Sequence, residues 1–293
     1  MNRAAMVIAV LGMCAWSLAQ DKPASQPAGQ ASGQTAGQPA GQAATAPAGK
    51  RPPQAKTQPE FQAFNAAMAM TDAPGAEKAA DDFAAKYPDS ELRAMLYKAA
   101  MQKYMQANNA DKMLDTAQKA LTFDPDDPEA LVGVAQVLAE RTRDTDLDKD
   151  QKLAEAKKDA ERALITIDTD VPTAGYPPER IDAFKRYVRS DAYAILGALA
   201  SNAKNWPEAE TDLRKSIDAF PEQVDSVAVL RLAIALDNEN KIPDALKVAN
   251  QAVDLTKDHP DSPAGKAARA EQDRLTKLNS GTAPGQSAAA PKK

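Results

Sequence analysis

Two stretches of this 293-residue chain carry the same landmark pattern at a constant offset. Tyr97, Ala100, Met101, Tyr104, Met113, Ala117, Ala120 and Pro125 are answered 96 positions later by Tyr193, Leu196, Gly197, Ala200, Ala209, Leu213, Ser216 and Pro221. Three further stretches fit the pattern less closely. The first is Phe64, Ala67, Ala76, Ala80, Phe83 and Pro88. Another is Leu131, Val134, Ala135, Leu138, Ala156, Ala160 and Ala163, and the last is Val229, Leu232, Ala233, Leu236, Ala245, Ala249 and Ala252. Self-similarity of this kind confines a chain to stacked architectures. A unit that cannot bury its apolar face alone must pass that face to the next unit.

The units are helical. From Phe61 to Asn279, Ala, Leu, Lys, Glu, Gln and Met dominate, β-branched residues are sparse, and apolar residues recur at three and four rather than at two. Small residues such as Ala135, Gly197 and Ala233 let two helices approach closely, while Tyr97, Tyr104, Leu196 and Leu213 fill the space between them. Prolines close the second helices, and Asp127-Pro128-Glu129 starts the next one with a capping carboxylate, a proline at the first helical position and an acid at the positive end.

The landmark order resembles the tetratricopeptide repeat (TPR), a unit of about 34 residues. The resemblance spans about Thr57 to His259. It implies an all-α, right-handed α-solenoid of about five helix pairs. Pro263 to Asn279 reads as a C-terminal capping helix, which an open-ended stack needs. Two departures break the register. Repeat three carries about nine surplus residues in the charged run Arg141 to Gln151. About nineteen more, Val171 to Arg189, separate repeats three and four. There Thr173 to Pro178 reads as a structured loop. Ile181, Phe184, Val188, Ile195 and Leu199 then share one helical face, predicting a long helix over about 178–204.

The ends of the chain differ in kind. Asn2-Arg3, the apolar run Ala4 to Trp16 and Ser17-Leu18-Ala19 form the three parts of a secretory signal, expected at 1–19 with cleavage after Ala19. An uncleaved signal anchor and lipidation at Cys14 are the other outcomes open to this segment, and either would hold the protein near a membrane. The protein is therefore expected to be exported, periplasmic or secreted. Residues 20–59 are Ala, Gln, Gly, Pro, Ser and Thr almost throughout and lack the apolar bulk to offset ordering entropy. They read as a disordered linker with a reach of about 35 Å. The solenoid is expected over 60–279, and 280–293 as a second disordered tail.

With one Cys and one His, the chain cannot assemble a Cys/His zinc site or a two-His metal motif. A net charge of −5 argues against an electrostatic nucleic-acid partner. Phosphate-loop, dinucleotide and nucleophile-elbow motifs are absent from the sequence. No catalytic residue and no cofactor is expected. The resemblance instead implies a groove for a protein or peptide partner, lined by first helices. Its residues would be Met95, Lys98, Gln102, Met105 and Gln106, then Val132, Gln136 and Glu140, then Ala194, Ala198, Ser201 and Asn202, and finally Leu230, Ile234 and Asp237. The subfamily clamp for a C-terminal carboxylate is missing. Gln102, Gly133, Asp191 and Ile195 stand where that clamp needs Asn, Asn and two cations.

One further candidate is a calcium loop. Asp144, Asp146, Asp148, Asp150 and Glu155 fall at EF-hand positions one, three, five, seven and twelve, although Lys149 replaces the glycine that the sharp turn requires. Without calcium, the segment reads as a soluble acidic insertion whose last Asp caps the next helix. Around Phe83 to Ser90 the sequence also resembles envelope TPR proteins that assist outer-membrane assembly and division. Two functions stay open on these residues: a groove-binding scaffold in the cell envelope, and a structural or calcium-responsive surface spacer.

Overall fold

A computed structural model describes residues 50–281. The expected signal, the linker up to residue 49 and the tail beyond 281 lie outside the described residues. Among those described, the regular elements are α-helices joined by turns: α1 (Gln58–Met68), α2 (Ala73–Lys86), α3 (Arg93–Gln106), α4 (Ala110–Phe123), α5 (Pro128–Arg141), α6 (Lys149–Thr166), α7 (Pro178–Asn202), α8 (Trp206–Ala219), α9 (Ser226–Asn238), α10 (Ile242–Leu255) and α11 (Pro263–Asn279), with one short 3-10 turn at Pro221–Gln223. Each helix packs on its neighbour in sequence, from α1 through to α11. This is an α-solenoid of five helix pairs closed by α11.

The repeat is written into the backbone as well as the side chains. The turns inside pairs two, four and five pass through Asn108, Lys204 and Asn240, all left-handed at φ between 54° and 59°. In each turn the following residue donates its N–H five residues back: Asn109 to Tyr104, Asn205 to Ala200, Lys241 to Leu236, all at 2.9 Å. These are Schellman motifs, which satisfy the last carbonyls of a first helix and aim the chain back along it. Second helices end differently. Tyr87, Asp124 and Phe220 leave the helical region immediately before Pro88, Pro125 and Pro221, because proline disfavours a helical residue in front of it.

Helix starts follow local chemistry too. The side chains of Thr57, Asp72, Asn109, Asp127, Asp225 and Ser262 accept backbone N–H bonds from the first turns of α1, α2, α4, α5, α9 and α11. The acidic insertion departs from expectation. Asp150 does not cap α6; the helix already starts at Lys149, after Asp148, whose side chain makes no capping bond. The predicted long helix is present as α7, and its buried face carries Phe184, Val188 and Ile195.

The core runs along the stack as three clusters. Phe83, Leu92, Leu96 and Tyr97 anchor the first, Leu131, Val134, Ile167 and Val188 the middle, and Leu213, Val229, Leu236 and Leu275 the last. Fully buried alanines (Ala80, Ala117, Ala160, Ala209 and Ala249) sit where second helices meet their neighbours. The N-terminal pairs are also stitched electrostatically. Tyr104 Oη donates to Glu77 at 2.7 Å, and Lys112 and Lys119 reach the same carboxylate at 3.2 Å. Tyr97 Oη donates to Asp81 at 2.8 Å. Burial and the Glu77 bond push the Tyr104 hydroxyl up to about 12.

Burial alone would raise the Glu77 carboxyl, but the bonds from Tyr104, Lys119 and Lys112 outweigh it and hold the group below its usual range. Such a group stabilises the fold above its unfolded value of about 4.3, and that contribution disappears as pH falls through the lower folded value. Glu77→Gln should therefore cost about 2 kcal/mol near neutral pH. The gap in Tm between variant and parent should close in acid. A gap that stays constant from pH 7 to pH 2 would contradict this role.

Candidate functional site

The first helices of the pairs are drawn together along one side. α1 meets α3, α5 meets α7, α7 meets α9, and α9 meets α11, whereas second helices make no such close approaches to one another. A stack tightened on that side curves with its first helices on the inner surface. Between α3 and α5 the approach is looser, and there the inner surface opens into a cleft.

Met68 of α1, Ala94, Met95, Lys98, Ala99 and Gln102 of α3, and Asp127, Pro128 and Glu129 at the start of α5 line the cleft. Two segments from outside the helix pairs complete its walls. One is the insertion before α7, through Asp170, Val171, Pro172 and Tyr176, with Phe184 behind it. The other is the stretch just before α1, through Lys50, Pro52 and Pro53. The space left between these walls is ≈ 140 Å³.

The floor of the cleft is a charged lock. Lys98 Nζ lies 2.7 Å from Asp127 and 3.4 Å from Glu129. Asp127 uses its other oxygen to accept the N–H groups of Glu129 and Ala130, so one carboxylate caps α5 and ties it to α3. Gln102 Nε2 donates to Glu129 at 2.6 Å. Burial would drive the Lys98 ammonium toward neutrality, but Asp127 and Glu129 overcome that and hold it above the ordinary lysine range. Both carboxylates are buried.

Of the expected groove residues, Met95, Lys98 and Gln102 line this cleft, and the polar ends of the last two are committed to α5. The others scatter. Met105 packs against the core and Gln106 is exposed at the end of α3. Val132, Ala198 and Leu230 are buried. Gln136 bonds Glu140 within α5, and Ser201 bonds the carbonyl of Gly197 within α7. Ala194 and Ile234 pack against the last core cluster, Asn202 is exposed, and Asp237 pairs with Arg274 of α11. Downstream of α5, then, the expected groove positions are mostly used for packing one pair against the next.

The acidic insertion does not gather its carboxylates. Asp144 pairs with Lys149 at 2.7 Å, and Asp148 with Lys152 at 3.0 Å. Asp146 accepts the N–H of Arg143, while Asp150 and Glu155 are carried away along α6. Among the described residues no group of three or more potential ligands converges on a metal-sized space. The lysines that interrupt the acids draw off their charge locally.

The last part of the stretch expected as a linker over 20–59 makes contacts ahead of α1. Residues 50–57 form no regular element and lie against the fold at Lys50, Pro52, Pro53 and Ala55. Lys50 Nζ lies 2.5 Å from Asp124 and 3.6 Å from Asp170, and its N–H donates to the carbonyl of Thr169 at 3.1 Å. The Arg51 guanidinium donates to both oxygens of Glu91, at 2.7 and 2.9 Å. Gln54 N–H reaches Glu91 at 3.3 Å, and Ala55 packs against the first core cluster. One signal was available in the sequence: Lys50-Arg51-Pro52-Pro53 interrupts the Ala/Gln/Gly run with two cations and a proline pair.

Compared with known protein families and with curated proteins, the sequence matches none. Among solved structures, the chain is similar to YrrB, described as a TPR protein with an unusual peptide-binding site. The two share 18% identity over 70% of this chain and 87% of that one, with a TM-score of 0.44. It is also similar to the RpL4 assembly chaperone Acl4, at 13% identity over 76% of this chain and 98% of that one, with a TM-score of 0.38.

Proposed function

We propose that this protein is an exported scaffold that holds a protein or peptide partner on the inner side of its helix pairs, in the cell envelope. The observation that carries this reading is the cleft between α3 and α5. It combines an apolar wall (Met68, Met95 and Ala99) with buried, hydrogen-bonded polar groups, and Lys50, Pro52 and Pro53 of the stretch before α1 already line it. Such a surface suits recognition of an extended segment. Export is supported by the basic start, apolar run and small-residue site of the first nineteen residues, and the Ala/Gln/Gly stretch that follows would set the solenoid away from its point of attachment.

The test must avoid Lys98. A charge reversal there would place three carboxylates together and report on folding rather than recognition. A photo-crosslinking residue at Met95 in the full-length chain should give a discrete adduct in living cells. The same residue at the exposed Asp115 of α4 should not. Adducts of equal yield at both positions, or none at Met95, would overturn the reading. Recovery of the chain in the cytosolic fraction with its first residues intact would overturn the location.

A further inference from the structure

We infer that the cleft selects an extended segment that opens with two cations and continues through proline and apolar residues, and that residues 50–56 occupy it as the chain's own stand-in for such a segment. The inference rests on the binding reading above and gives the partner its chemistry. Three observations carry it.

Carboxylates from three separate places in the fold converge on two adjacent cations. Asp124 at the end of α4 and Asp170 of the insertion face Lys50, while Glu91 ahead of α3 accepts from Arg51 Nη2 on both oxygens. Bonds between a guanidinium and a carboxylate are charge-assisted, and the other terminal nitrogen of Arg51 donates to the Pro52 carbonyl. The next two residues, Pro52 and Pro53, form a cleft wall. Prolines hold the chain extended and have no N–H to satisfy, so a segment of this kind gives up little entropy on docking. Three backbone donors of the segment reach the rest of the fold: Lys50 to Thr169, Gln54 to Glu91, and Lys56 to Glu60 of α1.

The stand-in also fits imperfectly. It leaves ≈ 140 Å³ of the cleft unfilled, bounded by both prolines, by Met68, Met95, Ala99 and Phe184, and by charged groups including Lys98 and Asp127. A partner with a bulkier apolar residue beside its proline would fill part of this space against Met68, Met95 and Phe184. The hold is light as well. Arg51 and Glu91 keep 60% and 45% of their side-chain surface exposed, and exposed pairs of this kind contribute little. A tethered ligand nevertheless acts at millimolar effective concentration. A free segment therefore meets a cleft that is open only part of the time, and its apparent affinity falls by that fraction.

The experiment uses the full-length chain and a fluorescent peptide of residues 50–57, Lys-Arg-Pro-Pro-Gln-Ala-Lys-Thr. Fluorescence anisotropy is read for the parent and for a Lys50→Ala/Arg51→Ala chain, whose own segment is loosened. The loosened chain should bind at least tenfold more tightly, about 1.4 kcal/mol. Adding Glu91→Gln/Asp124→Asn should abolish binding, and a peptide with both cations replaced by Glu should not bind. Circular dichroism confirms that each variant is folded. In the parent, saturating peptide should also speed hydrogen exchange at the Gln54 amide.

Failure of the loosened chain to bind, or equal binding of the Glu peptide, would overturn the inference. A partner adduct at Met95 from a chain that ignores the peptide would overturn only the cationic, proline-rich chemistry. Absence of both would overturn the binding reading too.

Discussion

Lys98→Met should destabilise the folded chain by about 3–5 kcal/mol, more than any other single change on the inner surface. The substitution keeps the stem that packs in the cleft and removes only the cation. Asp127 and Glu129 would then face one another, buried, with no positive charge between them. Burying an unpaired carboxylate is far costlier than the net worth of the original pair. Gln102 would still donate to Glu129, and the first turn of α5 would still donate to Asp127. These neutral donors soften the loss without replacing a full charge. Urea unfolding followed by circular dichroism measures the effect. Lys98→Met/Glu129→Gln should recover part of the loss, because one of the two stranded charges goes with its partner. A single variant within about 1 kcal/mol of the parent would show that the lock is ornamental.

Gly197→Leu should cost about 3 kcal/mol and lower Tm by roughly 6–12 °C for a folded unit of this size. A methyl carbon built on Gly197 would lie 2.6 Å from Leu213 Cγ, 2.9 Å from Leu213 Cδ2 and 3.2 Å from the Leu213 backbone nitrogen. Leu213 is fully buried, so its side chain has nowhere to retreat, and the backbone contact cannot be relieved without parting α7 from α8. Gly197→Ala should cost less. It gains about 1 kcal/mol of helix propensity against a smaller clash. Thermal unfolding of the two variants beside the parent orders them, and a leucine variant as stable as the parent would contradict the packing of α7 on α8.

These two positions differ in how far the sequence discloses them. Gly197 stands at a fixed place in a repeating pattern, and close helix crossing is the ordinary reason for a small residue there. Lys98 also stands at a repeat position, but its pattern place points to an open groove, and the structure puts it instead into a lock on the next pair. The remaining groove positions behave similarly. Asp237 is spent on Arg274, and Leu230 is spent on the core. A repeat pattern records which face a side chain is on. It does not record whether the neighbouring unit reaches over to cover it.

The division follows from the range of the forces. Helix content, pairing, the proline stops, the small residues at crossings and the boundaries of α7 and α11 depend on residues a few positions apart, so periodicity and capping chemistry determine them from the sequence alone. The cleft depends on what meets across the stack. Lys50 finds Asp124 seventy-four residues away, and Arg51 finds Glu91 forty residues away. No local period encodes such partners. Only the tertiary structure, by bringing the insertion, the start of α5 and the stretch before α1 to one side of α3, decided that a segment composed like a linker would be packed and that the expected groove would open where these parts meet.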